Sequence, residues 1–237
     1  MSQIICRDLT LGYDKKIVSS GISFEVNSGD YLCIVGDNGS GKSTLMKALL
    51  KLVPIIDGEI VFSDGLNYGD IGYLPQQTEI QRDFPASVEE VVLSGCIGHK
   101  GFLPIYNRSD KIRAHKNLRR LGIDGLQKRP YKELSGGQQQ RVLLARALCA
   151  ADKMILLDEP VAALDPAATI DMYRTIESLN RDDGMTVIMI SHDIGAAVKY
   201  ATHILHVGHS PLFFGTKEDY IKSEAYRYEI GEVERNA

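Results

Sequence analysis

The chain has 237 residues, a formal net charge of −4, and 44% hydrophobic against 24% charged residues. This suits one large globular domain, or one with a subdomain inserted, and leaves no bulk positive charge with which to hold nucleic acid. No apolar run reaches the roughly 18–20 residues that cross a bilayer, Met1 to Asp8 lacks the basic start and long apolar stretch of a signal peptide, and Cys6, Cys33, Cys96 and Cys149 form no CxxC pair, so a cytoplasmic chain with reduced thiols is expected.

In chain order, Ile22 to Val26 alternates, Asn27 to Asp30 turns, and Tyr31 to Val35 is a short apolar strand. A glycine-rich loop follows, then a helix over about Lys42 to Lys51. Asp57-Gly58 turns into a strand at Glu59 to Phe62, and another runs near Asp70 to Leu74. Ser87 to Ala150 reads as mostly helical: Ser87 with Glu90 three residues on is a capping box, Ser109 starts a basic amphipathic stretch through Arg120, and Ser135 caps a third helix carrying Val142, Leu143, Leu144, Ala147 and Leu148. The last third alternates. Met154 to Leu157 and Met185 to Ile190 are continuous apolar runs, as in strands buried on both faces of a parallel sheet. Helices near Pro166 to Asn180 and Asp193 to Tyr200 cross between them. The expected class is α/β with a helical insertion.

Three segments carry chemistry. Gly36-Asp37-Asn38-Gly39-Ser40-Gly41-Lys42-Ser43-Thr44 matches G-x-x-x-x-G-K-[ST] between a predicted strand and a predicted helix. Glycines let the backbone turn several N–H groups onto phosphate oxygens, and the helix N-terminus adds partial positive charge. Lys42 then reaches the β- and γ-phosphates, and the Ser43 hydroxyl binds Mg²⁺. Secondly, the apolar run from Met154 ends in Asp158-Glu159, where ligands bind in open α/β sheets. Such a pair alone is ordinarily a solvated turn; beside a phosphate loop, Asp158 holds Mg²⁺ through water and Glu159 polarises the attacking water as general base. Thirdly, Leu134-Ser135-Gly136-Gly137-Gln138 opens a helix with a second anion-binding nest. Alone it is an ordinary helix cap.

Together these segments resemble the ATP-binding-cassette ATPases over nearly the whole chain, with Leu134 to Gln138 as that family's signature motif. The resemblance implies roles for further residues. Tyr13 matches the aromatic that stacks on adenine; Gln76, in Tyr73-Leu74-Pro75-Gln76, matches the glutamine that contacts Mg²⁺ and water and senses the transporter. Asp165, in Ala163-Leu164-Asp165, matches the loop that crosses the dimer interface, and His192 matches the switch histidine at the γ-phosphate. It implies a P-loop NTPase core with a mixed, largely parallel sheet, an N-terminal antiparallel β-subdomain and a helical subdomain inserted at about 87–150 in a single domain, 1–237. It also implies ATP and Mg²⁺ as cofactors and a head-to-tail homodimer in which each phosphate loop faces the partner copy's signature. Val161 and Ala162 depart from the family, which often has Thr and Ser there.

A lone cassette implies integral-membrane permease subunits on other polypeptides, with this chain peripheral on the inner face of the membrane. The alternative is a mechanical ATPase acting on ribosomes, DNA or protein assemblies, whose usual second cassette, long coiled coils or zinc modules are not in this sequence. The segment Asp83-Phe84-Pro85-Ala86-Ser87-Val88-Glu89-Glu90-Val91-Val92 resembles subunits of bacterial zinc and manganese importers, with iron-chelate importers close by. That implies an extracellular metal-binding protein in the same system and no nucleic-acid partner. His203 and His206 stand an odd number apart on a predicted strand, so they face opposite sides rather than forming a metal cluster with His209. His99-Lys100 receives no role, and Arg108 to Arg120 reads as a solvated helix face, with a docking surface as the alternative.

Overall fold

A computed structural model describes residues 1–13, 16–76, 85–99, 105–208 and 212–236. The strands are β1 (Ser2–Tyr13), β2 (Lys16–Asn27), β3 (Tyr31–Val35), β4 (Asp57–Phe62), β5 (Ile71–Leu74), β6 (Met154–Asp158), β7 (Thr186–Ile190), β8 (His203–His206) and β9 (Phe213–Thr216). The helices are α1 (Lys42–Leu49), α2 (Val88–Ser94), α3 (Arg108–Arg120), α4 (Gly136–Ala150), α5 (Pro166–Arg181), α6 (Ile194–Tyr200), α7 (Lys217–Lys222) and α8 (Glu224–Asn236). They fall into two compact units, residues 1–66 with 184–237, and residues 67–183.

The first unit holds an antiparallel sheet in which β1 lies between β2 and β4, and a mixed sheet. In the latter, β3 runs parallel to β7 on one side and β8 on the other, and β9 joins β8 antiparallel. Every residue of β3 and β7 is buried, which explains why both read as unbroken apolar runs instead of alternating ones. β1 was not expected, because a bulge hides its pattern. Ile4 and Cys6 face inward, then the phase slips so that Leu9 and Leu11 do, with Asp8 in the left-handed region at φ 47°. Among the expected strands the observed bounds differ by a few residues, and Met185 stays outside β7.

The second unit pairs β5 with β6 in parallel, Ile71 opposite Met154 and Leu74 opposite Leu157. α4 packs against α2 and α3. Val92, Leu118, Val142 and Leu144 are fully buried, each stabilising the unit by about 1.5–3 kcal/mol of apolar transfer. Gly95 lets the chain touch α4 backbone to backbone, since a Cβ there would sit 2.0 Å from the Arg146 carbonyl oxygen. The Ser87–Glu90 capping box forms as expected. α3 begins one residue before the expected Ser109, at Arg108, because Asn107 is its N-cap and closes a capping box with Asp110. The cysteines are all buried free thiols. Among the described residues no His, Cys, Asp and Glu gather into a metal-type cluster, and no helix is long and apolar enough to cross a membrane. His209 and Phe84 lie outside the described residues.

Candidate functional site

In the first unit, Gly36–Thr44 leaves the end of β3 and enters α1. Gly36 has φ 130°, and a Cβ on it would lie 1.9 Å from the Val207 carbonyl oxygen, so only glycine fits. Gly41 caps α1 in the left-handed conformation. Lys42 is 5% exposed and curls over the loop, donating from Nζ to the carbonyl oxygens of Gly36 and Asp37, both at 2.7 Å. The Ser40 hydroxyl is buried and makes no hydrogen bond among the described residues, a cost that a ligand oxygen would relieve. Asn38 and Gly39 are exposed at the loop tip, Ser43 is half-buried in the first turn of α1, and Thr44 is buried. His192 is exposed just after β7. The next residue, Asp193, caps α6 by accepting from the Ala196 N–H at 2.9 Å. Tyr13 closes the β1–β2 hairpin opposite Lys16.

In the second unit, Asp158 ends β6 with 3% exposure. Tyr73, on the neighbouring strand β5, donates its hydroxyl to the Asp158 carboxylate; burial first, then that negative charge, push its phenol up to about 12. Sequence reasoning quoted Tyr73 without giving it a part, yet its side chain fixes the orientation of the buried carboxylate. The next residue, Glu159, has φ 51°, a left-handed strain of about 1–2 kcal/mol for a non-glycine residue. The turn aims its carboxylate at Gln76, whose Nε2 donates to Glu159 Oε2 at 2.8 Å. Three sequence-predicted residues, Gln76, Asp158 and Glu159, therefore converge at the C-terminal ends of β5 and β6. The turn continues through Val161, Ala162 and a second left-handed residue, Ala163 at φ 62°, to Asp165, which caps α5 by accepting from the Ala168 N–H at 2.9 Å.

Ser135 and Gly136 are exposed at the start of α4, with Gly137 and Gln138 half-buried. Ser135 Oγ accepts from the Gln138 N–H at 3.4 Å, and Gln138 Oε1 accepts from the Ser135 N–H at 3.1 Å. Cap and anion nest thus use the same atoms, and the long first bond is readily exchanged for a ligand oxygen. Within the second unit, Gln76 and Asp158 offer oxygen donors, the chemistry Mg²⁺ prefers, and not the thiol- and imidazole-rich sets of transition metals.

The model of the family described as ABC transporter matches residues 19–162. A manganese transport system ATP-binding protein of Bacillus subtilis (strain 168) is 40% identical over 216 residues, covering 90% of this chain and 86% of its own length. A zinc uptake system ATP-binding protein of Listeria innocua is 34% identical over 227 residues, 93% of this chain and 88% of its own. Among solved structures, the ADP conformation of an ATP-binding cassette of an ABC transporter superposes with a TM-score of 0.83 at 27% identity, covering 100% of both chains.

Proposed function

Because the chain belongs to the ABC transporter family, we propose that this cassette ATPase is the energy-coupling subunit of a membrane importer for divalent metal ions, manganese or zinc. One observation carries the coupling: the Gln76 amide sits 2.8 Å from the Glu159 carboxylate. A residue poised to polarise water is thereby bonded to a residue whose neighbour, Pro75, lines an apolar groove of about 400 Å³ with Ala86, Val91, Tyr131, Leu143 and Arg146. A permease helix seated in that groove would press on Gln76 and so on the carboxylate. The likeness to the manganese and zinc proteins supports the cargo.

The residues divide the work. Gly36, Asn38, Gly39, Ser40, Gly41 and Thr44 supply backbone and hydroxyl donors to the phosphates, and Lys42 adds charge at the β- and γ-phosphates. Mg²⁺, when bound, would be held by Ser43, Gln76 and Asp158 and would neutralise charge on the phosphate oxygens. Glu159 accepts the proton of the attacking water, and His192 contacts the γ-phosphate. Tyr13 stacks on the base. Ser135, Gly136, Gly137, Gln138 and Asp165 serve the nucleotide of a partner copy in a head-to-tail dimer. An extracellular metal-binding protein completes the system. The test is Leu143→Arg, which places a charge in the groove. ATP affinity of the free subunit should stay within twofold while metal uptake with the assembled permease falls at least fivefold; unchanged uptake would remove the groove from coupling.

A further inference from the structure

His206 is completely buried at the end of β8, directly behind the loop that starts at Gly36. It stands opposite Val35, and the next N–H, that of Val207, donates to the Val35 carbonyl at 2.9 Å. Val207 is the residue whose carbonyl leaves no room for a Cβ at Gly36, and a Cβ on Gly208 would lie 3.0 Å from Asp37 Oδ2. Residues 206–208 are thus the wall behind Gly36 and Asp37, the two residues whose carbonyls accept from Lys42. On its far side the imidazole meets the C-terminal helices. Nδ1 lies 2.9 Å from the Tyr220 hydroxyl of α7, and Nε2 lies 3.7 Å from Glu229 Oε2 of α8. Tyr220 is itself held by Phe213 and Tyr226, with ring centroids at 5.3 and 5.4 Å. A leucine would fill an apolar strand end without burying two ring nitrogens, so the polar ring needs a reason beyond packing.

We propose that His206 is a positioning residue that ties the wall behind Gly36–Thr44 to the two C-terminal helices, so that those helices set how firmly the loop holds nucleotide phosphates. This rests on the phosphate-binding reading of the loop. The neutral ring with its proton on Nε2 suits this setting: Nδ1 accepts from the Tyr220 hydroxyl, and the Nε2 side faces the Glu229 carboxylate at 3.7 Å, beyond hydrogen-bond range. Burial holds His206 below its ordinary value, Asp37 pulls it up, and Lys42 presses it down. Around the His206–Tyr220 pair stand Asp37 and Lys42 from the loop and α1, Glu229 and Tyr226 from α8, and Cys33 from β3. Because the folded value lies below the unfolded one, about 6.5, the neutral ring's contribution is full above that pH. It is lost as pH falls through the folded value, when a protonated Nδ1 no longer accepts from Tyr220.

The test uses steady-state ATPase kinetics of the full chain. Tyr220→Phe removes the hydroxyl that Nδ1 accepts from, and Glu229→Gln removes the negative charge beside Nε2, each without changing shape. At pH 7.5 both should raise KM for ATP three- to tenfold with kcat within twofold. In the parent protein KM should hold between pH 7.5 and about 6.5 and rise as pH is lowered further, and His206→Gln should flatten that rise. Unchanged KM in both partner variants, or KM and kcat that follow only the folded fraction, would overturn the proposal. Should His206→Gln fail to fold, the two milder variants decide. Lys42→Ala separates this from the underlying reading: normal ATP binding by that variant would refute the phosphate loop itself, whereas a loss there with unchanged partner variants would refute only the role of His206.

Discussion

The chemistry at Glu159 depends on a backbone geometry that its neighbours impose. A glutamate at φ 51° is held there because Asp158 is pinned by Tyr73 and its own carboxylate accepts from Gln76. Glu159→Gln keeps the shape and removes the base, so turnover should fall at least about 100-fold while ATP affinity persists. The variant should then collect as an ATP-bound dimer on gel filtration, and near-normal turnover would take Glu159 out of the base role. Gly36→Ala drives a methyl into the Val207 carbonyl at a φ of 130°. We expect a loss of about 3 kcal/mol or more in urea unfolding, and a loss of a few tenths would contradict the close approach. Tyr13→Ala should weaken ATP binding by about 1–3 kcal/mol, the size of base–aromatic stacking, with Tyr13→Phe silent. Equal losses in calorimetry would point to the hydroxyl instead.

Among the elements, α4 carries the sharpest test, because Ser135 is both helix cap and proposed nucleotide contact. Ser135→Ala removes the cap, which costs about 1 kcal/mol, and so cannot separate the two roles. Ser135→Asp can. Aspartate caps as well as serine, so thermal stability should hold, but its charge opposes a partner's γ-phosphate and turnover should drop at least tenfold; retained turnover would leave Ser135 a cap alone. The elements also show what a sequence can reveal. β3, β6 and β7 were legible because burial on both faces makes an unbroken apolar run, and α4 because Ser135 and Gln138 announce its start. β1 was not, since the bulge at Asp8 breaks the alternation. α7 and α8 were missed because their polar residues conceal the few that pack, Tyr220 and Ala225. Of the candidate site, the motif residues could be read directly. Tyr73 could not be assigned a part, because its partner Asp158 is 85 positions away, reached only through the pairing of β5 with β6.

For the molecule as a whole, two units each hold half of the proposed machinery. Gly36–Thr44 and His192 lie in one; Gln76, Asp158, Glu159 and the start of α4 lie in the other. Nucleotide binding that favours the closed dimer and hydrolysis that releases it would make a ligand-driven switch, with the groove at Pro75 as the place where the permease reads it. The most direct measurement is uptake into vesicles containing this chain with its permease, scored as manganese or zinc taken up per ATP hydrolysed. The account predicts metal uptake that requires ATP and disappears with Glu159→Gln. ATP hydrolysis that drives uptake of a sugar, peptide or amino acid and of neither metal would contradict it.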